Sequence, residues 1–145
     1  MSIEAAALLV HLRTAGVLLA ILVVVNLFVP RRFHWREEMA RLSLLNRQIF
    51  EVHSMFIVLI LALFSALLLT SSDALLEPTR LSRAMLAGLT IFWGLRVLVQ
   101  WFYYSPALWH GNRFNTAMHW LFSAAWVYMT TTFATALWMN LSLGR

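Results

Sequence analysis

The chain has 145 residues, of which 61% are hydrophobic and only 12% charged, with a formal net charge of +5. A soluble domain carries about 25% charged residues as a solvated shell, so this composition excludes that class, and its apolar and aromatic content excludes disorder. The absence of cysteine rules out disulfides, thiolate metal sites and Fe–S clusters, and the absence of lysine rules out Schiff-base chemistry.

A bilayer core about 30 Å thick is crossed by about 20 apolar residues rising 1.5 Å each. Four stretches qualify: 5–29, 47–70, 78–104 and 114–139. The first ends at Pro30 and carries Glu4 and Arg13 without a basic start, so it reads as a retained span rather than a cleaved signal peptide. In the connection that follows, Trp35, Met39, Leu42 and Leu45 form one apolar stripe, with Glu37 and Glu38 set toward Arg41. That pattern predicts a short amphipathic helix lying in the headgroup layer. The second span runs into Ser71-Ser72-Asp73. The third opens near Pro78, which suits a first helical turn, and closes before Pro106. The fourth follows the turn-prone pair Gly111-Asn112. Short connections make neighbouring spans antiparallel. The expected architecture is therefore an all-α, up-down four-transmembrane-helix bundle forming one domain.

The arginines give the orientation. Arg31, Arg32, Arg36, Arg41, Arg47 and Arg113 fall on one side, against Arg80, Arg83 and Arg145 on the other. The positive-inside rule then places both termini outside a bacterial inner membrane. Because these arginines flank apolar runs, the isoelectric point of about 11.1 indicates no nucleic-acid partner; the partner is the lipid bilayer. Trp35, Trp101, Trp109 and Trp138 near the span ends fit an aromatic belt, and His34 and His110 fit interfacial anchors.

Ionisable groups at membrane depth mark functional sites by default. Toward the cytoplasmic end, all four spans contribute: Asn26, Glu51 with His53, Arg96 with Gln100, and Asn115 with His119. Arg96 and Gln100 share one helix face, and Trp93 lies a turn earlier on nearly the same face. Glu51 is the expected counter-ion of Arg96, either as a structural pair fixing register or as part of a site for a carboxylate, phosphate or propionate. His53 and His119, at matching depth, suit the two axial positions of a haem b iron, with Arg96 available for a propionate. A non-haem metal site is disfavoured, because Glu51 and His53 diverge by about 200° around their helix. His11 and Arg13 form a lesser outer pair that diverges in the same way. Thr130, Thr131 and Thr132 are expected to hydrogen-bond within or between helices. Gly16, Gly88 and Gly94 are expected to let helices approach closely.

The stretch 45–53 (LNRQIFEVH), Trp93-Gly94-Leu95-Arg96 with Gln100, Tyr104-Ser105-Pro106 with Trp109, and Thr116-Ala117-Met118-His119 together resemble a group of small uncharacterised four-span bacterial membrane proteins. The resemblance covers most of the chain and implies the fold without an activity. A fainter resemblance, carried by His11 and Pro30-Arg31, is to the haem-binding protoporphyrinogen oxidase of the HemJ type. That family carries a conserved lysine, and this chain has none.

Three functions follow as expectations. The first is a haem b or quinone-linked redox protein, with His53 and His119 as ligands and Arg96, Gln100 and Glu51 orienting a propionate or quinone head group. The second is a non-catalytic subunit or scaffold, as a homo-oligomer or in a larger membrane complex. The third is an enzyme or carrier acting on a lipid head group.

Overall fold

The computed structural model describes residues 3–32, 34–109 and 111–143. His110 and Arg145 lie outside the described residues, as do the side chains of Arg31, Arg32 and Arg36. Among the described residues the chain is all-helical. Its helices are α1 (Ile3–Arg32), α2 (Trp35–Met39), α3 (Leu44–Thr70), α4 (Ser72–Leu76), α5 (Arg80–Leu98) and α6 (Arg113–Leu143), with a π-helical turn at Val99–Tyr103 and a 3₁₀ turn at Pro106–Leu108. Three helical stretches are long and apolar enough to cross a membrane: Ile3–Pro30, Leu44–Thr70 and Arg80–Tyr103. α6, at 31 residues, has ample length but is not among them, its threonines, tryptophans and asparagines lowering the hydropathy of its central stretch.

The chain divides into two compact units: Leu12–Ser72, and the start of α1 through His11 together with the chain from Asp73 onward. In the first unit, α1 and α3 meet at a small-residue contact. Ser65 Oγ donates to the Gly16 carbonyl at 2.8 Å, where both groups are buried. A Cβ at Gly16 would sit 3.0 Å from Leu68 Cβ and from Leu69 Cγ, so any side chain here would push the helices apart by a few tenths of an ångström. Lipid tails are as apolar as leucine, and close packing of this kind therefore supplies much of the association between such helices. The expectation of close approach holds at Gly16 alone. A Cβ at Gly88 would meet nothing within 4 Å, and one at Gly94 would meet only Thr130 at an ordinary 3.7 Å.

Two boundaries differ from the expectation for local reasons. α1 runs two residues past Pro30. A proline in the last turn forfeits only the N–H that would have reached the Asn26 carbonyl, at a point where the helix is ending anyway. The amphipathic helix is confined to Trp35–Met39. Ser43 ends the stripe by capping α3, its Oγ accepting from Asn46 N–H, and Leu45 thereby joins α3.

In the second unit α5 packs along α6 over a core of Leu86, Leu89, Trp93, Trp126, Met129, Phe133 and Ala136. α5 starts after Thr79, later than the expected Pro78. Thr79 and Ser82 form a reciprocal capping box, with Ser82 N–H donating to Thr79 Oγ1 at 3.1 Å and Thr79 N–H to Ser82 Oγ at 3.2 Å. Asn140 of α6 closes this end. It is 0% exposed, and its Nδ2 donates to the carbonyls of Leu75 (3.2 Å) and Glu77 (2.7 Å) and to Ser82 Oγ (3.3 Å). Its Oδ1 accepts from Arg83 Nε at 3.0 Å. One side chain thus ties α4, the turn after it and α5 to α6.

Candidate functional site

The opposite end of the α5–α6 pair carries a concentration of polar and aromatic groups. Trp93, Arg96 and Gln100 fall at i, i+3 and i+7 of α5 and its π-helical extension, and His119, Ser123 and Trp126 at i, i+4 and i+7 of α6. Each set is one helix face. The π-helical turn interrupts the regular register where Gln100 enters the core, a distortion often found at functional sites.

Gln100 is 7% exposed and lies between two ring nitrogens. Trp126 Nε1–H donates to Gln100 Oε1 at 3.3 Å, and Gln100 Nε2 lies 2.9 Å from His119 Nδ1. An indole N–H can only donate, so the Trp126 bond fixes which end of the amide is oxygen. The amide NH₂ therefore faces His119, Nδ1 accepts, and the proton of the neutral imidazole resides on Nε2. The ring is stacked on Trp109 with centroids 4.0 Å apart at 18°, and it meets Trp120 edge-on. Trp101 Nε1–H donates to Ser123 Oγ at 3.2 Å, so this tryptophan, expected as a belt residue, is bound to α6.

Arg96, half-buried, places its guanidinium carbon 5.3 Å from the Trp126 ring centre and 5.8 Å from that of Tyr104. These cation–π contacts steady the charge without occupying its N–H donors. Trp126 also stacks on Trp93 at 5.0 Å and on Phe122 at 5.5 Å. Trp93 is 2% exposed, and its Nε1–H is the one buried side-chain polar atom without a hydrogen-bond partner among the described residues. An unsatisfied buried donor costs about 1–3 kcal/mol, and such groups in native proteins usually have a purpose.

The other expected residues are placed elsewhere. Asn115 leaves the site: its Nδ2 donates to the Leu108 carbonyl at 2.8 Å, while Thr116 Oγ1 donates to the Trp109 carbonyl at 2.7 Å. Both secure the loop before α6, which Asn112 caps by accepting from Phe114 and Asn115 N–H. Asn26 donates within its own helix to Leu22. Thr130 and Thr131 likewise donate back to Trp126 and Val127, as expected of intrahelical threonines. His11 shares a hydrogen bond with Tyr128 Oη at 3.0 Å, and Arg13 is exposed.

Glu51 and His53 belong to the first unit, on α3. Glu51 lines a cleft of about 700 Å³ there, with Trp35 and Glu37 of α2 and with Arg47 and Gln48 one turn before it. Exposed His53 donates from Nδ1–H to the Ile49 carbonyl at 2.8 Å, which leaves the Nε2 lone pair free. Among the described residues no group of three or more His, Asp or Glu side chains is arranged to hold a metal ion.

The sequence pattern put Arg96, Gln100 and His119 in one layer with Asn26, Glu51, His53 and Asn115, and Trp93 a turn earlier on the Arg96 face, but it missed Trp126, the group that orients Gln100. Its signal was its position two turns beyond His119 on the same face. Trp109 was read as a belt residue and as part of the resemblance, not as a partner of His119.

Among the described residues the fold is thus all-helical, with three helices long and apolar enough to cross a membrane, as integral membrane proteins have. Comparison with protein families, with curated proteins and with solved structures finds no match to this chain.

Proposed function

We propose that the chain is a multi-pass protein of the bacterial inner membrane, with α6 as a fourth span and both termini outside, and that Arg96, Gln100 and His119 form the head-group site of a quinone-linked redox protein. The observation that carries this reading is the chain of bonds from Trp126 through Gln100 to His119, which turns His119 Nε2–H into a donor. Arg96 and Trp93 add donors without protein partners in their unit. The three groups together accept nothing, so the matching ligand is rich in acceptors. The surrounding Trp93, Trp109, Tyr104 and Trp126 rings suit a flat, lipid-soluble head. A quinone ring with two carbonyl oxygens meets both requirements.

Haem b is the second reading, and one observation favours it. His53, with its Nδ1–H on a backbone carbonyl, has the tautomer of an axial ligand. His119 has the opposite tautomer, which is why the quinone stands first.

The test is titration of the detergent-purified protein with decylubiquinone, read by tryptophan quenching, beside a fatty acid of matched chain length. Saturable quinone binding that weakens at least about tenfold in Arg96→Leu and in Gln100→Leu is the expected result. Equal binding of the fatty acid replaces the quinone by an anionic head group, and unchanged affinity in both variants refutes the site. A visible spectrum taken before and after dithionite decides the second reading. A Soret band that shifts on reduction, and that is lost in His53→Ala and His119→Ala, establishes haem in place of the quinone.

A further inference from the structure

The cleft at Glu51 borders a second one. The first, about 700 Å³, is lined by polar side chains near the start of α3, where Arg47, Gln48 and Glu51 face Glu37 of α2. The second, about 370 Å³, has no charged lining residue: Leu27 of α1 and Met55, Ile57 and Val58 of α3 make most of its wall, with the neutral polar Asn26 and Ser54 beside them. Pro30 and Trp35 line both, so the two spaces meet along a shared wall. From Arg47 to Val58 the helix rises about 16 Å. Over that distance the charged side chains give out and the lining becomes mostly apolar, in the direction that leads into the membrane-spanning part of α3. Trp35, braced edge-on by Phe50 with ring centres 5.0 Å apart, stands where the character changes, as interfacial tryptophans do.

The charges in the upper space are held apart. Among the described residues the one ion pair is His34 with Glu37, long at 3.8 Å and widely exposed. Arg47 therefore pairs with neither Glu37 nor Glu51, although Glu51 follows it by one turn on the same face. Among the described residues, one guanidinium and two carboxylates in one cleft, with His34 beside Glu37, match a ligand that carries a phosphate beside an amine. An anionic phosphoglycerol head would satisfy Arg47 but would bring its charge against both carboxylates. A trimethylated choline would offer them no N–H. A primary ammonium gives three donors to Glu37, Glu51 and the Gln48 carbonyl oxygen.

We infer that this double cleft binds one aminophospholipid, a phosphatidylethanolamine, with its phosphate on Arg47, its ammonium between Glu37 and Glu51, and the upper part of an acyl chain along Met55, Ile57 and Val58. The inference is independent of the quinone site, which lies in the other unit of the chain.

Native mass spectrometry of the full chain, released from nanodiscs containing equal parts of phosphatidylethanolamine, phosphatidylcholine and phosphatidylglycerol, tests it. The expected spectrum shows one retained phosphatidylethanolamine, favoured about tenfold or more over each of the others. Glu51→Gln and Arg47→Gln should each erase the preference. Both positions lie at the cleft rather than in the helix contact, and circular dichroism confirms that the variants fold. Met55→Trp, which fills the lower space and leaves every charge in place, should release the lipid. Retention without preference in the wild type overturns the inference, as does an undiminished preference in Glu51→Gln. Glycerophosphoethanolamine, which has the head group but no acyl chains, should fail to displace the lipid at equal concentration. Displacement by it would overturn the assignment of the lower cleft.

Discussion

Replacing Gln100 by leucine removes two of the three side-chain hydrogen bonds that join the π-helical turn to α6, leaving only Trp101 to Ser123, while keeping nearly the same volume. The buried Trp126 Nε1–H, held at 3.3 Å, then has no partner. The His119 Nδ1 acceptor, at 2.9 Å, belongs to a half-buried ring that can turn toward water. Hydrogen bonds between helices in bilayers average about 0.6 kcal/mol and reach about 1.7, because helices separated within the membrane still find other partners. Two such bonds, one of them wholly buried, give an expected destabilisation of about 1–2 kcal/mol. Far-UV circular dichroism during an SDS titration in mixed micelles measures it. The tautomer supplies a second and sharper readout. In the wild type the ¹⁵N shifts of His119 should show the proton on Nε2. In Gln100→Glu the amide donor becomes an acceptor, so the proton should move to Nδ1. A wild-type Nδ1–H, or a loss below about 0.3 kcal/mol in Gln100→Leu, refutes the argument that Trp126 orients Gln100 and Gln100 orients His119.

Asn140→Ala should be the more damaging change, about 2–4 kcal/mol in the same titration, because four hydrogen bonds at a fully buried position are lost together. Gly16→Val should separate α1 from α3, since even a single Cβ there meets Leu68 at 3.0 Å. A disulfide engineered between the two helices beside this contact should then form more slowly than in the Gly16 parent. His34 has a positive φ of 50°, so His34→Val should cost about 1–2 kcal/mol by SDS titration, while His34→Gly should be close to neutral. With no native cysteine, single replacements report topology against a silent background. Ser43→Cys and Gly111→Cys should react with a membrane-impermeant maleimide only after the cytoplasmic face is opened, and Asp73→Cys and Ser142→Cys should react from outside. Reaction of Gly111→Cys and Ser142→Cys from the same side would remove α6 from the spans.

How much of this was legible beforehand follows from the periodicity of each helix. Long apolar runs identify α1, α3 and α5 because nothing else explains them. The length of α6 was equally plain, but its Trp, Thr and Asn residues lower its hydropathy, and one of them, Trp126, is the buried group that builds the site against α5. The same periodicity placed Trp93, Arg96 and Gln100 on one face, since i, i+3 and i+7 need no tertiary information. Which group each polar atom would choose was not legible. Asn115 and His119 are one turn apart on α6, yet one pins a loop and the other enters the core. What separates them is the backbone after Pro106, which brings the Leu108 carbonyl within reach of Asn115. The cleft around Glu51 was hidden for a related reason. The apolar stripe from Trp35 to Leu45 implied one continuous surface helix, whereas the cap at Ser43 splits it, leaving Trp35 and Glu37 beside Arg47 and Glu51. A capping serine three residues before an asparagine is a weak signal beside four spaced apolar residues, and here the weaker local signal decided the geometry.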